Sequence, residues 1–287
     1  MPARAPQAAA IARRSAALAW FDSEHANLVA AVQWPDEDDP EAGVGLALHL
    51  AEYLRWRRFF EDWVAVSQTA RALTRRMRDE RAEATVCNHL GNALLRAERP
   101  VEAVEPLTHA AELFRRVADP TGEGLAWNNL GLAQRRSGQL EPALATHVRA
   151  RDRFRALGDR WNEGRAWHNL GLALDAAGRH PEAAAAFRRA CVLHRETDRI
   201  FHGDSLNSLG CALHAEGRAE ESVTAFRASL RIRQEYDNWY ATVLTANNLA
   251  RALENTGRQE EAADARAQAA EACARAGTTE AVYGHHH

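Results

Sequence analysis

Lysine is missing. The 287 residues carry 36 Lys plus Arg, all of them Arg, against 39 acids, for a net charge of -3. Without a lysine amine there is no P-loop lysine, no Schiff-base or pyridoxal anchor, and no kinase lysine to position ATP. Cysteine is sparse as well. Cys87, Cys191, Cys211 and Cys273 form no C-x-x-C pair and are too few for a disulfide framework, which suits a reducing, cytoplasmic setting. No run approaches the roughly 18 apolar residues of a membrane span. The N-terminal stretch MPARAPQAAAIARRSAALAW has no apolar block of signal-peptide length. The near-neutral charge lacks the basic excess of a dedicated nucleic-acid binder. No H-E-x-x-H, G-x-S-x-G or G-x-G-x-x-G block occurs. The expectation is a non-enzymatic chain with no cofactor, no metal, no membrane and no direct nucleic-acid contact.

Alanine is what the chain has in excess, at 60 residues. With 46% hydrophobic and 26% charged residues, the composition is that of a globular protein able to bury a core. The heavy use of Arg and Ala reads as codon composition in a GC-rich genome. Cys191 with His194, and Cys211 with His214, have an i, i+3 spacing that zinc ligands use. The two pairs fall on different helices of neighbouring units, and cysteine is also a common small core residue. No metal ligand is assigned to them.

The pattern that organises the chain is a repeat. A block recurs as NHLGNALL from Asn88, NNLGLAQR from Asn128, HNLGLALD from His168, NSLGCALH from Asn207 and NNLARALE from Asn247. Its leucine stands at Leu90, Leu130, Leu170, Leu209 and Leu249, so the step is 40 residues with one of 39. A register held over five copies marks a repeat architecture. Each block runs into a turn with Gly138, Gly178, Gly217 or Gly257, and Glu98 in the earliest copy. Glycine there suits the left-handed residue that closes a helix. The next helix opens on Pro or Glu, at Pro100, Glu141-Pro142, Pro181-Glu182, Glu220-Glu221 and Glu260-Glu261. Each unit is therefore helix, turn, helix, connector. Pro106 lies deeper than a first turn, and a local bend is expected there.

Small residues hold fixed offsets. Gly91, Gly131, Gly171, Gly210 and Ala250 follow the repeat leucine; Ala103, Ala143, Ala183, Ser222 and Ala262 come next, then Ala110, Ala150, Ala190, Ser229 and Ala269. Between these stand larger plugs, Leu107, Phe187 and Phe226, with His147 weaker, while Trp127 and Trp167 open two first helices. This pattern resembles the tetratricopeptide repeat family over residues 82–276, in a 40-residue version similar to those of kinesin light chains and bacterial peptide-receptor regulators. The resemblance implies an all-α solenoid, a right-handed superhelix of about six helical hairpins plus an N-terminal helix. The expected array covers 41–277, with repeats at 43–78, 82–118, 122–158, 162–198, 201–237 and 241–276, the first divergent around Leu50 and Ala51 with a looser second helix at Trp63, Ser67 and Ala70. Residues 1–40 hold a helix over 8–33 and an acidic loop, Pro35 to Pro40. Residues 278–287 end in three histidines and read as a tag remnant. Arg266 replaces a plug in the last helix, as suits the polar end of a stack, and Gly277 is the expected stop.

A second resemblance rests on Trp20, Asp22, Glu24, His25, Ala26-Asn27-Leu28 and Ala30-Ala31. That motif looks like the helix opening the C-terminal repeat region of actinobacterial STAND regulators of the Streptomyces antibiotic regulatory type. Their DNA- and nucleotide-binding domains have no counterpart here. The resemblance implies a sensor or regulatory arm of a transcriptional or signalling regulator. A free-standing adaptor scaffolding an enzyme complex, or a receptor for a peptide or small-molecule pheromone, stays open.

A helical solenoid offers a groove lined by its first helices. There Asn88, Asn128, His168, Asn207 and Asn247 form a ladder. An amide both donates and accepts, so such a ladder can hold a peptide main chain. In the related proteins matching asparagines do so, and the same role is implied here. Equally, the amides can satisfy neighbouring repeats, the reading preferred for Asn129, Asn169 and Asn248. Nearby stand Asn92, Arg96, Arg135, Arg136, Arg165 and Arg251, and Arg forks suit carboxylates or phosphates. The groove either selects acidic ligands or presents a solvated basic face. The tryptophans read as core or hairpin packing, with an exposed partner edge as the alternative for Trp161 and Trp239, which lie near connectors. The expected partner is a protein or peptide ligand in the groove, with a homodimer as a further possibility.

Overall fold

A computed structural model describes residues 4–34 and 39–276, and the side chains from residue 16 onward within them. Most of the acidic loop, the stop at Gly277 and the tail 278–287 lie outside the described residues.

The described residues form thirteen α-helices and no strand: α1 Arg4–Gln33, α2 Pro40–Arg57, α3 Phe60–Met77, α4 Glu80–Arg96, α5 Pro100–Arg116, α6 Pro120–Arg136, α7 Leu140–Leu157, α8 Arg160–Ala176, α9 His180–Thr197, α10 Arg199–Ala215, α11 Ala219–Glu235, α12 Trp239–Asn255 and α13 Gln259–Ala276. The class is the all-α solenoid that the repeats imply. α5 continues through Pro106 as one helix.

The helix boundaries are chemically marked. Asp39, Asp79, Asp119, Asp159, Asp198 and Asn238 cap α2, α4, α6, α8, α10 and α12, each side chain accepting from a backbone N–H two or three residues on. Such a cap contributes about 1 kcal/mol. These caps keep the same register as the leucines, and the sequence reading overlooked them. The turn glycines do take left-handed backbone, with φ of +80° at Gly138 and +77° at Gly217; Glu98 adopts +59° in the earliest copy.

The connectors explain the one 39-residue step. Arg78, Ala118, Gly158 and Asp237 supply a left-handed residue just before a capping Asp or Asn. Between α9 and α10 that residue is absent, and Asp198 closes one helix while capping the next. An L-residue in this region costs roughly 1–2 kcal/mol. Ala118, with φ of +53°, is therefore mildly strained where Gly158 is not. Ala118→Gly should raise stability by about 0.5–1 kcal/mol, after the entropy glycine adds to the unfolded chain. An unchanged or lower urea midpoint would overturn this.

Packing separates two compact units, Met1–Ser137 and Gly138–His287. In the first, successive helices α2 to α6 pack side by side, α2 touches α4, α4 touches α6, and α1 lies on α2 and α3. In the second, α7 to α13 pack in sequence, with first helices α8, α10 and α12 also touching. In the α4–α5, α8–α9 and α10–α11 hairpins the plug enters the hole left by glycine. A Cβ built on Gly91 meets Leu107 Cγ at 2.3 Å, one on Gly171 meets Phe187 Cε1 at 2.6 Å, and one on Gly210 meets Phe226 Cε1 at 2.5 Å.

The opening motif is a clamp. Asp22 accepts from Arg57 Nε at 2.8 Å and Tyr53 Oη at 3.1 Å, and His25 Nε2 lies 2.8 Å from Asp62. The His25 ring packs on Phe59 with centroids 4.3 Å apart, so the motif ties α1 to α2 and α3. Trp20, Trp34 and Trp56 are the exposed tryptophans of this unit. Trp161 and Trp239 are half-buried, closer to the packing role than to an exposed edge. Trp161 donates to Asp198 and meets Phe201 edge-on, and Arg275 lies over the Trp239 ring.

Candidate ligand-binding faces

Each unit presents its own first-helix face. In the first unit Asn88 is half-buried and its Oδ1 accepts from Asn129 Nδ2 at 2.9 Å. Its backbone carbonyl accepts from Asn92 Nδ2 at 3.0 Å. Asn128 is a correction to the ladder. It is only 2% exposed and already engaged within the protein, so its amide is not offered to a ligand. The reason is local: the α6 face that carries it turns inward, while Asn129 reaches back to α4.

The second unit repeats the cross-hairpin bond. Asn248 Nδ2 donates to Asn207 Oδ1 at 3.3 Å, Thr245 Oγ1 shares its one proton between that oxygen and the Ala241 carbonyl, each at 3.1 Å, and Arg251 donates to Asn248 Oδ1 at 3.0 Å. The amide at a ladder position therefore accepts from the residue 41 further on, in both units. His168 departs from this scheme: its Nδ1 lies 3.3 Å from Ser205 Oγ. Asn247, at the last position, is exposed. Arg165 stacks over the Trp161 ring at 4.8 Å and donates to Asn162, and burial pushes its pKa down.

The expected basic residues of the first unit stand at helix ends. Arg96 ends α4, while Arg135 and Arg136 end α6. Arg136 donates to the Leu95 carbonyl at 3.1 Å, a bond that suits the negative end of a helix. Arg96 is exposed overall, yet local desolvation lowers its pKa, and the nearby charges of Arg55, Arg136 and Arg58 lower it further. Burial, then Arg136, does the same to Arg135, whose Nε has no partner.

Asn92 and Arg96 meet in a cavity of about 280 Å³ between α2, α3 and α4. Its other walls are Leu48, Ala51, Glu52 and Arg55 of α2, Trp63 of α3 and His89 of α4. None of these was singled out as a site residue in the sequence. One signal was available, because Glu52 stands 40 residues before Asn92 and so shares its repeat position. Cavities also open where no role was expected, between the second helices α11 and α13 over α12, about 590 Å³ with Leu230, Leu249 and Leu253 among its walls.

Among the described residues one cluster has metal-ligand chemistry: Glu83, Cys87 and His109 bring their ligand atoms within 4.8 Å of one another. The cluster is already satisfied otherwise. Arg75 Nε and His109 Nε2 both bond Glu83 Oε1, at 2.8 and 2.9 Å. Burial alone would raise that carboxyl, and these two bonds outweigh it, holding it below its ordinary value. Cys87 is fully buried, and burial pushes its thiol up to about 11. The charges of Arg71 and Arg75 beside a protonated thiol make a poor cation site.

Tetratricopeptide repeat family models match residues 122–196 and 203–236. A search of curated proteins gives no match. Solved structures share the fold, among them these three. A STAND signal-transduction ATPase with a tetratricopeptide repeat sensor, from Pyrococcus horikoshii, is 16% identical, with 89% of this chain and 39% of that one covered and a TM-score of 0.69. BtubC from P. vanneervenii is 16% identical, covering 79% of this chain and 94% of that one, TM-score 0.65. A Rap protein complexed with competence and sporulation factor is 16% identical, covering 82% and 70%, TM-score 0.63. Among the described residues no helix is long and apolar enough to cross a membrane.

Proposed function

From a chain built of tetratricopeptide repeats, we propose a non-enzymatic protein- or peptide-binding module, the sensor or regulatory arm of a bacterial transcriptional or signalling regulator. The observation that carries this reading is the first-helix face of each unit. It presents amides and guanidiniums in repeat register, some of them uncommitted. The STAND neighbour supports the regulatory half of the reading, since its fold match is to a protein with a repeat sensor. The Rap neighbour supports the binding half, as a repeat protein captured with a factor.

The ladder is tested at its last two positions. Asn247 is exposed, and Asn207 is half-buried beside it on the α10–α12 face. Peptides selected on the wild-type chain from a displayed library should bind Asn207→Ala/Asn247→Ala about tenfold more weakly, a loss of about 1.4 kcal/mol. The variant's unfolding midpoint controls for the lost Thr245 and Asn248 bonds. Selection of the same peptides with the same affinity by both proteins would sink the ladder reading.

A further inference from the structure

The α2–α3–α4 cavity keeps polar groups that the fold itself does not use. Trp63 is 4% exposed and lines the cavity, yet its indole Nε1–H has no acceptor among the described residues. A buried donor left unmet costs about 1–3 kcal/mol. His89 lines the same cavity with an unpartnered buried Nδ1, and its ring meets Trp63 edge-on with centroids 6.4 Å apart. Burial lowers the His89 pKa, against the raising pull of Glu52, so the ring is held neutral near pH 7.

Charge at the rim is unbalanced. Glu52 is the cavity's carboxylate, and Arg55 already holds it through two bonds. Arg96 has no carboxylate partner among the described residues, and it feels the like charges of Arg55, Arg58 and Arg136. An anion placed against Arg96 relieves that repulsion and meets a planar fork, the geometry in which arginine bonds a carboxylate through two parallel N–H groups. The volume, about 280 Å³, has room for one acidic side chain or one terminal residue.

We propose that this cavity is a carboxylate anchor, in which the Arg96 guanidinium and the Trp63 indole N–H hold an Asp or Glu side chain or the free C-terminus of a peptide. The anchor rests on the reading of the chain as a peptide-binding module and names the ligand group that one end of the peptide supplies.

The test follows the indole N–H resonances of the full-length ¹⁵N-labelled protein, with the Trp63 peak assigned by its loss in Trp63→Phe. Four probes are titrated: acetyl-Ala-Ala-Glu-Ala-Ala-amide, the matching Gln peptide, acetyl-tetra-alanine with a free carboxylate, and inorganic phosphate. The two carboxylate peptides are expected to move the Trp63 peak downfield and saturably. The Gln peptide should leave it in place. Arg96→Met should weaken the response about tenfold, as losing a charge-assisted pair implies, and Arg96→Lys should weaken it less. Arg96 is exposed at a helix end, so these variants keep the fold, and an otherwise unchanged indole spectrum shows it. A Trp63 peak unmoved by both carboxylate peptides, moved equally by Gln, or moved undiminished in Arg96→Met overturns the anchor. Movement by phosphate alone overturns it in favour of a phosphate site. Loss of the anchor with the Asn207/Asn247 effect intact leaves the binding-module reading standing. The reverse result leaves a carboxylate site without the ladder.

Discussion

Phe226→Ala will cost about 3–5 kcal/mol, the usual range for a large aromatic removed from a packed interior. Phe226 is 1% exposed, and its ring occupies the space over Gly210 that any side chain there would need. It joins α11 to α10 within a cluster that also includes Leu230, Val243, Leu249 and Leu253. The surrounding alanines, Ala246, Ala250 and Ala262, are too short to fill the hole, so the cavity stays open. Gly210→Ala reaches the same contact from the other side. Its methyl would sit 2.5 Å from Phe226 Cε1, and overpacking of this kind costs about 1–3 kcal/mol. The two changes should not add. With the ring gone, the new methyl partly fills its place, so the double variant should be more stable than the summed penalties by about 1 kcal/mol or more. Urea unfolding of the four proteins gives the cycle. Strict additivity, or a Phe226→Ala cost under about 1 kcal/mol, would show that the plug and the glycine do not act as one contact.

The helix pairs were legible because they rest on period. Gly138 and Gly217 mark left-handed turns wherever they fall in a helical pattern, and Gly210 with Phe226 declares a hole and a plug at fixed offsets. The capping acids Asp79, Asp119 and Asp159 share that period and are equally legible in it. The site was less legible, for a physical reason. A repeat position fixes which helix face a residue occupies and not how deeply its neighbours cover it. Asn88 and Asn128 stand at equivalent positions, and one is half-buried while the other is 2% exposed. The bonds from Asn129 to Asn88 and from Asn248 to Asn207 span 41 residues and need the hairpins stacked before they exist. Trp63 reads as core from its sequence, and it is core. Only the fold shows that its N–H is unmet and that it walls a cavity shared with Arg96. The Glu83–Cys87–His109 cluster was invisible for the same reason, since two of its members come from one turn of α4 and the third from α5.

Acid should weaken the second unit through one imidazole. His194 is fully buried in α9, its Nδ1 lies 2.9 Å from Ser205 Oγ, and its Nε2 has no partner. Ser205 Oγ also lies 3.3 Å from His168 Nδ1, and a single hydroxyl hydrogen can serve only one of the two rings, so the other ring donates. A Cβ on Gly164 would meet His194 Cδ2 and Nε2 at 2.7 Å, so the ring is wedged against α8 backbone with no room for water. Burial pushes the His194 pKa down from 6.5 to about 4, with Asp198 pulling the other way. The unfolded chain therefore takes up this proton near pH 6.5, and the folded chain not until about pH 4. The neutral ring's contribution is fully present above pH 6.5, is lost as pH falls through that window, and changes no further below about 4. The total is on the order of 3 kcal/mol, from about 1.4 kcal/mol per pH unit. In His194→Asn the side-chain amide offers Ser205 an acceptor or a donor, whichever the imidazole supplied, and no titrating group is left. That variant loses ring packing at every pH, so the readout is the slope of stability between pH 6.5 and 4 and not its level. The slope should be shallower than wild type by most of the His194 contribution. His202, whose pKa burial also lowers, and Asp204, whose pKa burial raises, titrate in both proteins and cancel in the difference. Parallel curves for the two proteins would mean that His194 reaches solvent when protonated, and that the wedge on Gly164 opens at little cost.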